Sequence, residues 1–472
     1  MNLKEFLKSL SIYGILPVFT KFAGFLLVPI YVRVLSQYDY GVVELIVSTI
    51  SFATYLINME LYAAVGRFYF DKDSFRQKQK LVSTGLFLTL FSAAFVSALF
   101  ILFQDIIHQA LFQSGNYFLE LRLGLVWAVI SAISTYLSIL PRYEKKAGRF
   151  VLFNVITVLV KLSSTIIFVV VLKLGIRGVL LGHIAGASTS TVLYSVSAFK
   201  YLRWSISIEE IKEMFHFSLP LVPGVFLLGI YQPLMRTLIS RVYDINTLAI
   251  FSFAFKLTTI MAIVETGIRL AWRPMLYENI NKKSFGKEYS KISEFSASVL
   301  LLFGVVIISA SREIVILIGT VQYYDSVKIL GFLVMGNILW NLDSLRGFGF
   351  EVAKKTYWIT IVNSFSRLMG VLFMLFISPK LGLMGIGVAM LLPQFIDYCI
   401  KVTYTKRFIS SAKVNSSEIL LWGLVIISVI FSIVNAHILL RLSTIIIAAS
   451  IFVTLYQAGG KRVLQSVIRK YT

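Results

Sequence analysis

Cys399 is the only cysteine, so no internal disulfide can hold the fold. The four histidines are scattered, without metal-ligand spacing, which removes the usual sign of a zinc centre. No G-x-x-x-x-G-K-[ST] phosphate loop is present, so ATP hydrolysis by this chain is not expected. H-E-x-x-H and a nucleophile elbow are also missing. Charged residues make up only 14% of the chain, where a soluble domain carries about 25%. Acids are scarcer still: 23 Asp and Glu stand against 45 Lys and Arg, a net charge of +22. No stretch between apolar runs is long enough for an extramembrane domain. This argues against a membrane glycan polymerase or ligase, which needs a large reactive loop outside the bilayer.

What is present is apolar sequence. Hydrophobic residues are 57% of the chain, and mean hydropathy is +0.82. Runs of about 20 apolar residues, each enough to cross a ~30 Å hydrocarbon core as a helix, recur from end to end. The expected class is an all-α polytopic membrane protein. Candidate spans lie at 10–35, 41–62, 80–103, 116–141, 151–172, 177–199, 216–241, 247–272, 291–318, 327–349, 357–377, 382–404, 418–438 and 440–458, fourteen transmembrane helices in all. The opening "MNLKEFLKSLSIYG" has basic residues before an apolar run, but no small-residue cleavage site follows, so the first span is read as retained.

The excess of positive charge has a membrane explanation. With the N-terminus inside, most Lys and Arg fall in inner segments, such as Arg142, Lys145, Lys146 and Arg149, or Lys282, Lys283 and Lys287. Outer segments keep few, among them Arg33, Arg122 and Arg312. That asymmetry places both termini in the cytoplasm and meets anionic lipid head groups. Nucleic acid is not an expected partner.

The chain is also written twice. "KLGIRGV" at Lys173–Val179 returns as "KLGLMGI" at Lys380–Ile386. Around it, Arg33 and Tyr69 meet Arg241 and Tyr277, while Lys145, Lys146 and Asn154 meet Lys354, Lys355 and Asn363. Spans 1–6 therefore resemble spans 7–12. Six is even, so both copies enter from one side, as a parallel repeat about an axis along the membrane normal. The expected organisation is a six-helix lobe over 1–205, a second over 206–410, and two extra helices with a tail over 411–472. The doubled loop itself reads as a glycine-dependent turn and a mark of ancestry.

A charge at mid-bilayer costs about 2.5–3.5 kcal/mol on insertion scales and usually faces a bundle interior or a wet cavity. The intramembrane cations by these spans are Lys21, Lys161, Arg236, Lys256, Arg269 and Arg367; the acids are Glu44, Glu60, Glu265, Asp343 and Asp397. Lys21 and Lys256 are the leading candidates for a basic cavity, with Lys161, Arg236 and Arg367 behind them. Lys and Arg suit phosphate oxygens. Glu265 and Arg269 stand at i,i+4, which favours a structural ion pair. Glu60, Asp343 and Asp397 are candidates for ion coupling. Prolines gather in span 1 (Pro17, Pro29) and span 7 (Pro220, Pro223, Pro233), the first span of each half, with Pro393 in span 12. They mark these spans as kinked or hinged.

With these features together, the sequence resembles the multidrug/oligosaccharidyl-lipid/polysaccharide (MOP) exporter superfamily over essentially its whole length. The opening "SIYGILPVFTKFAGFLLVPIYVRVLSQYDYGVVELI" and its echo "FSLPLVPGVFLLGIYQPLMRTLISRVYD" are similar to the polysaccharide-biosynthesis, O-antigen-type (Wzx-like) flippase branch. The resemblance implies MATE-like facing lobes. It implies alternating-access movement of a polyprenyl-diphosphate-linked oligosaccharide across the cytoplasmic (inner) membrane. It also implies a cationic cavity for the diphosphate, no organic cofactor, H+ or Na+ coupling, and membrane lipids and glycan polymerase machinery as partners. A cation-coupled drug antiporter and a peptidoglycan lipid-precursor flippase are the rival readings. An antiporter for amine cations should favour acids in its cavity, whereas here bases predominate at mid-membrane.

Overall fold

The computed structural model describes residues 24–144, 146–202, 205–220, 222–261, 285–408 and 416–456, together with Thr266, Trp272, Leu276 and Ile280. Lys21, Glu265 and Arg269 lie outside the described residues.

Every apolar run read from the sequence has a helix within it. In chain order these are α1 (Gly24–Val34), α2 (Gln37–Asn58), α3 (Phe75–Leu102), α4 (Phe118–Leu137), α5 (Ala147–Ile166), α6 (Gly175–Ala198) and α7 (Val222–Val242). They continue with α8 (Ile245–Leu257), α9 (Phe285–Ser309), α10 (Val327–Arg346), α11 (Tyr357–Phe376), α12 (Leu383–Thr405), α13 (Ser416–Ile433) and α14 (Ile438–Leu455). Among the described residues there is no strand, and 11 helices are long and apolar enough to cross a membrane. The described parts of α1 and α8 are shorter apolar helices. α10 spans 20 residues, but Lys328, Asn337, Asn341 and Asp343 make it too polar to join the 11. Large apolar side chains stand on the outer surface, such as Leu102 at 73% exposure, Val196 at 74% and Phe199 at 77%. In water such a surface would aggregate. Against lipid tails it meets its proper solvent, and the helices satisfy their own backbone groups.

The chain divides into two compact units, one of residues 30–249 and one of residues 1–29 with 250–472. In the 30–249 unit α2 is the hub, packing against α3, α4, α6 and α7. Its inward face (Tyr40, Val42, Leu45, Ile46, Ile50) is completely buried. Ser36 starts it as N-cap, its hydroxyl accepting the Asp39 N–H at 3.0 Å. Ser74 and Gln77 form a capping box at the start of α3. α5 is held to α6 by small residues: Gly178, Gly182 and Gly186 bring α6 against Phe168, Thr165 and Lys161. A Cβ at Gly178 would come within 2.8 Å of the Phe168 carbonyl oxygen, closer than real side chains stand.

In the other unit α12 packs against α10 and α11, and α9 packs against α13 and α14. The two last helices are bolted to this unit by charge. Arg346 of α10 makes a bidentate contact with Glu418 of α13, at 2.8 and 2.9 Å, and donates to Ser293 of α9 at 2.7 Å. Arg441 of α14 does the same with Glu313, at 2.9 and 2.7 Å. Ser309, Ser428 and Thr444 join α9, α13 and α14 in a buried hydroxyl network. Paired in this way, buried charges are tolerated and fix register.

The doubled loop is a turn in both copies. Gly175 and Gly382 occupy matching positions with φ of 56° and 59°, the left-handed region that glycine enters without a Cβ clash. Pro233 and Pro393 sit inside α7 and α12, which continue as helices past them. Span 7 is interrupted near Pro220, between a helix ending at Ser218 and α7, and a further break follows α2. Met59 and Glu60 have φ of 42° and 55°, and a short helix, Leu61–Phe68, carries the chain on. Two successive non-glycine residues in this region are costly and mark a kink held by its surroundings.

Candidate functional site

The described basic candidates fall on four helices. Lys161 lies on α5, half-buried, with its stem against α6: a Cβ at Gly186 would approach the Lys161 Cβ to 2.7 Å. The glycine therefore sets where this lysine sits. Lys256 is half-buried at the end of α8, where its carbonyl accepts the Thr259 hydroxyl at 2.6 Å and the helix tightens into a 3-10 turn. Arg367 is half-buried on α11 and donates from Nη1 to the Asn363 carbonyl one turn back, at 2.9 Å. Arg236 differs from these three. It is 6% exposed and donates to Gln232 Oε1 at 2.6 Å. Its other nitrogen stands 3.6 Å from Glu44 of α2, itself 4% exposed.

Of the acidic candidates, Glu60 sits at the kink after α2. Its carboxylate accepts the Tyr62 hydroxyl at 3.2 Å. Phe52, Tyr55, Val222 and Phe226 join it around a cavity of about 20 Å³, room for a single water. Asp343 and Asp397 are brought together by the packing of α10 on α12, around Lys401. The Lys401 ammonium donates to Asp343 Oδ2 at 2.8 Å and lies 4.0 Å from Asp397 Oδ2. Lys401 is 5% exposed and Asp397 1%. Among the described residues no hydrogen-bond donor reaches either Asp397 oxygen or Asp343 Oδ1. Gly347 makes the space, since a Cβ there would run into Asp343 Oδ1.

Sequence reasoning passed over Lys401. The residue is absent from the intramembrane cations named above although span 382–404 contains it, and α12 runs to Thr405 and buries it. The spacing of Asp397 and Lys401, four apart on one helix, was the available signal. Arg346 and Arg441 are likewise absent from that set, and both are buried against glutamates. Their partners, Glu418 and Glu313, are 72 and 128 residues away, so only the fold reveals the pairs.

A second charged network lies beyond the end of α4. Glu144 accepts from Lys146 at 2.6 Å, Lys200 at 2.5 Å and the Tyr201 hydroxyl at 2.8 Å. Tyr201 in turn meets Tyr69 at 2.8 Å. Partial burial pushes the Glu144 carboxyl up, but these three hydrogen bonds outweigh it and hold it at about 2. The network ties together the ends of three elements of the 30–249 unit.

Among the described residues no group of three or more His, Cys, Asp or Glu could hold a metal ion. The described residues thus carry half-buried cations at Lys161, Lys256 and Arg367 and a buried cluster of two acids and one base around Lys401.

The profile of a family described as polysaccharide biosynthesis protein matches residues 30–328, more than half of the sequence, and the chain belongs to that family. No curated protein matches it. Among solved structures, it is similar to an inward-facing multidrug-resistance MATE family transporter of the MOP superfamily. That match has a TM-score of 0.69 and 16% identity, over 84% of this chain and 96% of the other. It is similar to the lipid II flippase MurJ in an inward closed conformation, with a TM-score of 0.69 and 13% identity, over 96% and 99%. A mutant of the Vibrio cholerae MATE transporter VcmN matches with a TM-score of 0.55 and 13% identity, over 86% and 96%. The fold is thus shared with MATE transporters and MurJ, the MATE-like fold that the sequence resemblance implied. A match over 96% of the chain is too long to stop at α12.

Proposed function

We propose that the protein is a flippase for polyprenyl-diphosphate-linked oligosaccharide repeat units, working by alternating access in the cytoplasmic membrane for surface polysaccharide synthesis. The observation that carries the proposal is membership of the polysaccharide biosynthesis family across residues 30–328. The fold supports it, being shared with a lipid flippase along nearly the whole chain. So does the chemistry of the spans. Lys161, Lys256 and Arg367 are half-buried cations at points where a neutral residue would cost less. A diphosphate supplies the anionic oxygens such residues bind. In this proposal those three, with Lys21, hold the diphosphate. Arg236, the remaining basic candidate, stays paired with Glu44 and holds α7 to α2. H+ or Na+ coupling through the acids of the spans drives the cycle, and glycan polymerase machinery receives the product.

The test is depletion of the protein in its native cell, with lipid-linked intermediates extracted and surface glycan measured in parallel. Accumulation of a polyprenyl-diphosphate oligosaccharide with falling surface polymer is the expected outcome. Unchanged intermediates with new sensitivity to cationic drugs would replace the proposal by an antiporter.

One observation favours a second reading. The lipid II flippase match reaches beyond α12, whereas the two MATE matches cover 84% and 86% of the chain. In a peptidoglycan-precursor flippase, depletion would build up the undecorated peptidoglycan lipid and stop wall synthesis before any surface glycan changed.

A further inference from the structure

The cluster between α10 and α12 contains two carboxylates and one ammonium. Lys401 is committed to Asp343 at 2.8 Å, and reaches Asp397 only at 4.0 Å. Asp397 is 1% exposed, and among the described residues neither of its oxygens has a hydrogen-bond donor. A buried carboxylate in that position must lose its charge or gain a cation, because ionisation without a partner carries a large desolvation cost.

The other charges around it do not supply one. On α10, Arg346 is consumed by Glu418 in a bidentate pair and by Ser293. On α12, Tyr398 is engaged by Arg346 at 3.1 Å. On α11, Arg367 donates to its own helix at Asn363. The short helix Gly349–Val352, which packs on α12, brings Glu351, a further acid. A metal cation is disfavoured because the Lys401 ammonium already stands between the two carboxylates. No described group of three ligating side chains is available either.

We infer that Asp397 is a proton-binding site: it is held as the neutral acid while Lys401 pairs with Asp343. Release of its proton to water leaves a carboxylate that draws the Lys401 ammonium across from Asp343. Only an O–H bond breaks and re-forms, and the proton passes between Asp397 and the aqueous phase. The two pairings of Lys401 give α10 and α12 two charge arrangements, which is what a coupling ion needs to bias. This inference rests on the transporter reading for its purpose, and names the proton as the coupling ion of that reading.

The experiment is infrared spectroscopy of the purified full chain in detergent across a pH titration, following the carbonyl stretch of a buried protonated carboxylic acid. The wild type should show that band at neutral pH. Asp397→Asn, nearly isosteric with the neutral acid, should lose it entirely, and Asp343→Asn should keep it. Should Asp397→Asn fail to fold, Asp397→Glu serves instead, and the band should move rather than vanish. No band in the wild type at neutral pH, or a band unchanged in both Asp397 variants, would overturn the inference. The readout needs no substrate. A flippase reading that failed in depleted cells would leave this result standing, and an absent band would leave the flippase reading untouched.

Discussion

Two buried charge sites, one in each compact unit, are built from the same kinds of residue and balance differently. Between α2 and α7, Glu44 faces Arg236, one acid to one base, with Gln232 taking the second donor of the arginine. Between α10 and α12, Lys401 must serve both Asp343 and Asp397 and is close to only the first. The first arrangement is closed and can fix register. The second has two acids to one base and therefore has a state to change. Residues that look alike in a list of intramembrane charges are separated in role by their partners.

Removing the cation from the unbalanced site should have the largest effect. Lys401→Met leaves the Asp343 carboxylate buried without its cation, beside the neutral Asp397, so unfolding in detergent at neutral pH should show a loss of about 3–5 kcal/mol. Acid should restore much of it, because protonating Asp343 removes the stranded charge. If the loss were equal at all pH values, the site would not be governed by charge. Next in size is Glu44→Gln, which strands Arg236 and should cost about 3 kcal/mol, with no recovery in acid. The double variant Glu44→Met/Arg236→Met sharpens the contrast. Removing a balanced pair together should cost less than about 1 kcal/mol. A cost equal to that of Glu44→Gln alone would show that packing, not charge, holds α2 to α7.

The smallest effect belongs to Glu144. Its folded carboxyl is held at about 2, below its ordinary value of 4.5. The stabilisation is therefore present above pH 4.5 and disappears as pH falls towards 2. Acid unfolding of Glu144→Gln should consequently be shallower than that of the wild type in this window and parallel to it near neutrality. Identical acid limbs would remove Glu144 from the account.

The spans were legible because bilayer thickness imposes a length of about 20 apolar residues, and nothing in water needs that. The doubled loop was legible because Gly175 and Gly382 must supply the same positive φ. The kink at Met59 and Glu60 was not, since neither residue is a glycine or proline and the strain is imposed from outside. Proline drew attention to span 7, where the helix is interrupted near Pro220 and runs on through Pro233. Asp343 and Asp397 could be picked out as acids inside spans, but their relation could not. It depends on Lys401, which sits where loop and helix are hard to tell apart, and on Gly347, whose missing side chain admits Asp343. Arg236 stood out as an intramembrane cation, while its counter-ion Glu44 lies on a helix far away in sequence.

The most direct test of the account is transport itself. The full chain would be reconstituted into vesicles with a polyprenyl-diphosphate oligosaccharide, and exposure of the sugar on the far leaflet followed with and without an imposed pH gradient. The account predicts protein-dependent exposure that the gradient accelerates, with Asp397→Asn retaining the lipid but losing the response to the gradient. No exposure above that of protein-free vesicles, gradient or not, would contradict it.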